Sequence, residues 1–181
     1  MARDLRYIHI VDLEATCWQG EPPPGEVQEV IEIGLVRLDL RDGTVSEPLG
    51  ELCCRPTESH VSPFCTQLTT LTEEKLSSHN TFNQTIDRIH GLKLLDSTWA
   101  SWGDFDRNLL ERQCSRRGLR MPFGKTHLNV KNLFSLCYGL DREIGVGVAL
   151  KQIGVPFKGT PHRGLDDAHN ITVLLKRLLR P

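Results

Sequence analysis

No run of apolar residues in this chain approaches the roughly 20 that a bilayer-spanning helix needs, and MARDLR leads directly into a first strand. A cytoplasmic protein with no membrane partner is therefore expected. An excess of one charge is missing too: the net charge is −1, which excludes a generally basic, duplex-coating protein but leaves room for a local basic surface. The six cysteines (Cys17, Cys53, Cys54, Cys65, Cys114, Cys137) form no CxxC pair and no zinc-like spacing, so buried free thiols are expected. Repeats, low-complexity tracts and linkers are absent as well. At 181 residues the chain suffices for one well-buried domain and is short for two, so residues 1–181 are expected to form a single domain.

What is present begins with IVDLEATC, residues 10–17. The preceding Tyr7-Ile8-His9-Ile10-Val11 is β-branched and aromatic and reads as a central strand. On a strand, residues two apart share a face, so Asp12 and Glu14 stand side by side while Leu13 faces away. Two carboxylates this close repel, and burying either is costly. Something positive belongs between them.

After the Pro/Gly-rich loop WQGEPPPGEVQ, VIEIGLVRLDL and GELCCRP read as two further strands joined around Arg41-Asp42-Gly43, giving an antiparallel meander. SPFCTQLTTLTEEKLSSH reads as a loop with one short helix. Thr81 caps a helix that carries Phe82, Ile86 and Ile89. STWASW is a fourth strand, followed by a helix from about Asp104 to Arg117 that Gly118 ends, and THLNV is a fifth strand. Helices through Leu133–Tyr138 and VGVALKQIG follow, and the last runs from about Leu165 to Arg180. Three strands followed by alternating helices and strands indicate a mixed α/β sheet.

A cation at Asp12 and Glu14 needs further oxygen ligands, and helical periodicity selects them. From Asp167, steps of four, three and four reach Ile171, Leu174 and Leu178; from Asp166 they reach Asn170, Val173 and Arg177. Asp167 heads the buried stripe, whereas Asp166 suits a helix-terminus role. Likewise Asp106 shares a face with Leu109, Leu110 and Cys114, leaving Asp104 as a cap or solvated residue. His162, in GTPHRGLDD, lies just before the last helix, where a neutral imidazole can take a proton from an attacking water. All-carboxylate ligation favours Mg²⁺, with Mn²⁺ substituting, and four carboxylates around two such ions suit in-line phosphoryl displacement.

DLEATC, WGDFDRNLL and HRGLDD, in this order, resemble the three motifs of the DEDDh 3′–5′ exonuclease family. The longer DLEATCW, FCTQLTTLT and HRGLDDAHNI are most similar to a subgroup typified by histone-mRNA and small-interfering-RNA 3′-end exonucleases. Its bacterial relatives are named as inhibitors of a sporulation kinase pathway. The resemblance spans Tyr7 to about Arg180 and implies a ribonuclease-H-like fold, a mixed five-stranded sheet flanked by helices. It implies metal ligation by Asp12, Glu14, Asp106 and Asp167, with Glu14 and two Mg²⁺ ions positioning the water and His162 as general base. It also implies 3′–5′ hydrolysis of single-stranded nucleic acid to 5′ mononucleotides, RNA preferred and DNA possible, with terminal-nucleotide contacts near Ala15, Thr16 and Leu68. One departure stands out: the family usually has glycine in LTGI, where this chain has Thr70 in LTTL.

Between Arg107 and Lys131 lie seven basic residues and one acid, Glu111. This stretch reads either as a guide for the phosphate backbone or as a solvated helix face. Trp18 and Phe64 flank motif-bearing loops and are candidates to stack on terminal bases, whereas Trp99 and Trp102 are expected in the core. Two rival functions stay open: a partner-binding protein that keeps the fold, and a phosphohydrolase acting on dinucleotides.

Overall fold

The alternation of β1 (Tyr7–Ala15) sends its side chains to two different layers. Val11, Leu13 and Ala15 face one core, and Ile8 and Ile10 face another. The computed structural model describes residues 5–179. β2 (Val30–Asp39) pairs antiparallel with β1 from Tyr7↔Asp39 to Ala15↔Val30, with a bulge in the register between Glu14 and Ala15. Bulges of this kind re-aim the side chains beside them. β3 (Val45–Ser46) and β4 (Glu51–Cys53) share the other edge of β2, opposite Arg37–Leu38 and Glu32–Gly34 respectively.

The chain then forms α1 (Pro63–Thr69), α2 (Glu73–Ser77) and α3 (Phe82–His90), and a 3-10 turn leads into β5 (Thr98–Ser101). α4 (Phe105–Arg116), β6 (His127–Asn129), α5 (Val130–Cys137), α6 (Val146–Gln152) and α7 (Gly164–Leu179) complete the order. β5 and β6 run parallel to β1, giving a mixed sheet in the order β3-β2-β1-β5-β6 with β4 beside β2.

α3 and α4 cover one face of the sheet, packing Ile86, Ile89, Leu109 and Leu110 against Val11, Leu13 and Trp99. α7 covers the other, with Ala168, Ile171 and Leu175 against Ile8, Ile10, Val36, Leu38 and Ala100. The start of α7 seats directly on the sheet: a Cβ built on Gly34 of β2 would lie 2.0 Å from the Gly164 carbonyl oxygen, and one on Gly164 would lie 3.0 Å from the Asp12 carbonyl oxygen. Two glycines thus let backbone meet backbone, and α7 begins where β1 turns from Ile8 and Ile10 to Asp12 and Glu14.

The sheet has six strands among the described residues, one more than the sequence suggests. The third predicted strand, GELCCRP, is β4, and the extra strand is β3 in the connection before it, set off from β4 because Pro48 offers no N–H to the ladder and Gly50 sits at φ 65. The expected single helix in residues 62–78 is two, because both Ser62 and Thr72 cap: their hydroxyls accept from the amides of Cys65 and Lys75. Thr70 ends α1 at φ 63, a left-handed conformation that costs a β-branched residue energy and that glycine adopts freely. The capping box at Thr81 and the buried Phe82, Ile86 and Ile89 of α3 follow the sequence reading. The predicted end of the last helix, Arg180, lies outside the described residues.

All six cysteines are free, but only Cys53, Cys54, Cys65 and Cys114 are buried; Cys17 is half-buried and Cys137 is exposed. No helix among the described residues is long and apolar enough to cross a membrane.

Candidate active site

The C-terminal part of β1 carries the acidic pair into a cleft of about 540 Å³ lined also by Trp102, Phe105, Asp106, Val146, Phe157, His162 and Asp167. Clefts beyond the carboxyl ends of parallel strands are where α/β sheets bind ligands. The four acids arrive by three routes. Asp12 and Glu14 come from alternation along β1, Asp167 from the first turn of α7, and Asp106 from the first turn of α4. Carboxylate oxygens of Asp12, Glu14 and Asp167 all lie within 4.8 Å of one another. β5 pairs with β1 only as far as Ile10↔Ala100, and beyond that point the Leu13 amide donates to Asp106 Oδ1 at 2.9 Å.

Asp166 faces elsewhere. Its Oδ2 accepts from the Thr160 amide at 2.8 Å, tying down the loop before α7, while Asp167 Oδ2 accepts from the Arg163 amide at 3.3 Å. Asp104 is exposed and accepts from Asn129 Nδ2 at 2.9 Å, with Arg107 3.3 Å away. His162 is exposed at the cleft with φ 61, a backbone conformation uncommon outside glycine and often seen at functional sites.

The electrostatics state what the site lacks. Burial pushes Glu14 up to about 8, reinforced by the charges of Asp167, Glu32 and Asp106. Burial lifts Asp106 to about 7 and Asp167 to about 6, against backbone amides of Leu13 and His162 that pull them down. Asp12 is raised well above its ordinary value by burial and by the three other acids of the cleft. The close oxygens of Asp12, Glu14 and Asp167, with the charge of Asp106 adding to their repulsion, fit a divalent cation, which would reverse each of these shifts.

Arg163 does not fill that role. Its Nε donates to Glu32 Oε2 at 3.0 Å and its Nη2 to Glu51, bridging the buried Glu32 and the rim of β4. The sequence reading passed over this pair, although an acid inside the buried run VIEIG was the signal for a cation partner. With Arg163 so engaged, the nearby trio Glu32, Glu51 and Cys53 already holds its positive charge.

Ala15, Thr16, Trp18, Phe64 and Leu68 are not among the residues lining the cleft. Thr16 is buried, its hydroxyl bonded to Val27 and Glu29; the Ala15 carbonyl accepts from Cys65 Sγ at 3.5 Å. Trp18 and Leu68 are half-buried and Phe64 is exposed. Trp99 is core as expected, but Trp102 is only half-buried: it packs on Phe134, donates Nε1 to the Ile144 carbonyl and lines the cleft. Phe105, 54% exposed at the start of α4, also lines the cleft, and the sequence reading missed it.

The basic stretch is largely self-neutralised. Arg107 pairs with Asp104, Arg116 with Glu58, Arg117 with Glu29 and Glu58, and Lys131 with Glu143. Arg112 donates to Gln28. Only Arg120 and Lys125 of the seven line a separate hollow, near the start of β5.

The family model RNase_T, described as Exonuclease, matches residues 9–175. The chain is 28% identical over 184 residues to the 3′–5′ exoribonuclease 1 of Homo sapiens, covering 96% of this chain and 52% of that protein. It thus spans about half the length of this curated relative. Among solved structures, it is similar to the nuclease domain of 3′hExo, a DEDDh family member bound to rAMP. The TM-score there is 0.82 at 30% identity, covering 99% of this chain and 94% of that one. A structure described as 3′-end specific recognition of histone mRNA stem-loop by 3′-exonuclease gives TM-score 0.83 at 29% identity, covering 97% of this chain and 82% of that one.

Proposed function

The chain belongs to the RNase_T exonuclease family and to its DEDDh members, and on that footing we propose that it is a divalent-metal-dependent 3′–5′ exonuclease acting on single-stranded nucleic acid. Residues 1–181 form one catalytic domain in this reading. The observation that carries it is the convergence of Asp12, Glu14, Asp106 and Asp167, from three elements, on one cleft beside His162. RNA is the preferred polymer, because the similar proteins are named exoribonucleases and the similar domain was bound to rAMP; DNA is an acceptable second substrate.

Those four carboxylates would hold two Mg²⁺ ions, with Mn²⁺ able to replace them. When bound, the ions supply positive charge that offsets the charge developing on the reacting phosphate. The protein does the rest. Glu14 orients the attacking water, and His162 accepts its proton as the bond to the terminal 5′ mononucleotide breaks. Backbone amides of His162 and Arg163 grip Asp167, so the base and one carboxylate are held by the same turn. Phe105 and Trp102 offer aromatic surface to a terminal base. With most of the basic stretch paired internally, a short single-stranded end suits this surface better than a long duplex.

Incubation with 5′-labelled single-stranded RNA and DNA, with Mg²⁺ or with chelator, tests the reading. A descending ladder that chelator abolishes and that is faster on RNA is expected. Cleavage undiminished by excess chelator overturns the metal mechanism, and a dinucleotide consumed faster than any oligomer overturns the exonuclease reading in favour of a phosphohydrolase.

A further inference from the structure

We propose that His127 is a positioning residue for Asp106, acting through the hydroxyl of Ser101. This rests on the reading of Asp106 as a carboxylate that holds a divalent ion. β6 pairs with β5 so that Trp99 lies opposite His127 and Ser101 opposite Asn129. The His127 side chain is only 2% exposed, its ring 4.4 Å from that of Trp99, and its Nε2 lies 2.8 Å from Ser101 Oγ. Ser101 Oγ in turn donates to the Gly103 carbonyl oxygen at 2.9 Å, in the turn that leads into α4 and Asp106.

Proton accounting fixes the direction of this chain. A serine hydroxyl has one proton, and the Gly103 carbonyl can only accept it. With its proton on that carbonyl, Ser101 can bond His127 Nε2 only if the ring nitrogen carries a proton of its own and donates it. Burial pushes His127 down to about 4, so the imidazole is neutral near pH 7 and has a single N–H to place. Nδ1 lies 3.8 Å from the exposed Asp104, beyond hydrogen-bond reach, so nothing there competes for that proton.

His127 therefore turns the Ser101 proton toward the start of α4. Asn129, two residues further along β6, holds the same helix end through Asp104. With the Leu13 amide on Oδ1, Asp106 is then held both through the turn that starts its helix and by β1. Partners of this kind, standing behind a metal-binding side chain, typically alter metal affinity 10- to 100-fold when removed.

Two variants separate the hydrogen bond from the packing. His127→Phe keeps a ring against Trp99 but has no donor, and His127→Gln keeps an N–H near the position of Nε2. Calorimetric Mn²⁺ titration of the purified protein should show roughly 10- to 100-fold weaker binding for His127→Phe and nearly wild-type binding for His127→Gln. Nitrogen-15 NMR of metal-free protein should find His127 protonated on Nε2 and bare on Nδ1. Ser101→Ala should weaken Mn²⁺ binding similarly, and His127→Phe added to it should cost little more, because the link is already cut. An Nδ1–H tautomer, or a folded His127→Phe protein that binds Mn²⁺ as wild type does, overturns the proposal. If His127→Phe does not fold, the tautomer and Ser101→Ala decide it, and normal Mn²⁺ binding by Ser101→Ala overturns it. A wild-type protein that binds no divalent ion overturns the proposed metal site instead, while the tautomer still judges the hydrogen-bond chain.

Discussion

Asp166 and Asp167 begin the same helix one position apart, and about 100° of rotation sends their carboxylates to different places. Asp167 reaches the cleft beside Asp12 and Glu14, whereas Asp166 holds the Thr160 amide. Asp167→Asn keeps shape but removes charge, and should lower single-turnover cleavage of labelled RNA by about 100-fold or more. Asp166→Asn should remain active and lose on the order of 0.3–1 kcal/mol of stability. Circular dichroism would first establish that both are folded; a dead Asp166→Asn beside an active Asp167→Asn would reverse the assignment. This distinction was legible in the sequence because the buried stripe of Ile171 and Leu174 sets the helix phase. Phe105 was not legible, because an aromatic residue at a helix start reads as core until its neighbours are placed. Thr70 lies between: the departure from glycine was visible, but its cost in backbone conformation was not.

At the scale of elements, the seat of α7 on β2 determines how close the acids come. A Cβ on Gly34 would meet the Gly164 carbonyl carbon at 2.1 Å and the Leu165 amide nitrogen at 2.4 Å, all backbone, so nothing there can rotate aside. Gly34→Ala should therefore push the start of α7 outward, costing about 1–3 kcal/mol of stability and drawing Asp167 away from Asp12. Urea denaturation together with Mn²⁺ titration would measure both effects. A Gly34→Ala protein with unchanged midpoint and unchanged affinity would show that the seat does not position the site. No periodicity in either segment announces a contact between two glycines so distant in sequence. The same holds for the partners of α4: its basic residues were plain, but Glu29 and Glu58, which neutralise Arg116 and Arg117, come from segments that only the fold brings near.

For the whole molecule, the crowded carboxylates make folding stability depend on pH. Metal-free, Asp106 at about 7 and Glu14 at about 8 retain protons that the unfolded chain, with ordinary acidic groups, has already lost. The folded state thus binds more protons, and stability falls as pH rises through these values. His9 and His127, pushed by burial to about 4, work in the opposite sense but mainly below the ordinary histidine pKa of about 6.5. The melting temperature of metal-free protein should therefore drop between about pH 7 and about pH 8, and Mn²⁺ should raise it more at the higher pH, where protons no longer compete. Calorimetric scans at both values check this; a melting temperature that rises with pH without metal would contradict the carboxylate shifts. The mixed sheet itself was readable from the strand and helix periodicities. The short strand β3 was not, since two residues carry no alternation to detect.

The acids of the cleft are also widely separated in time of synthesis. β1, with Asp12 and Glu14, is made first, and α7, with Asp167, is made after every other strand and helix named above. No polypeptide that stops short of residue 164 contains all four carboxylates or the helix that seats against Gly34. A growing chain therefore carries an incomplete centre until α7 has been synthesised, however far the other three acids have already come together.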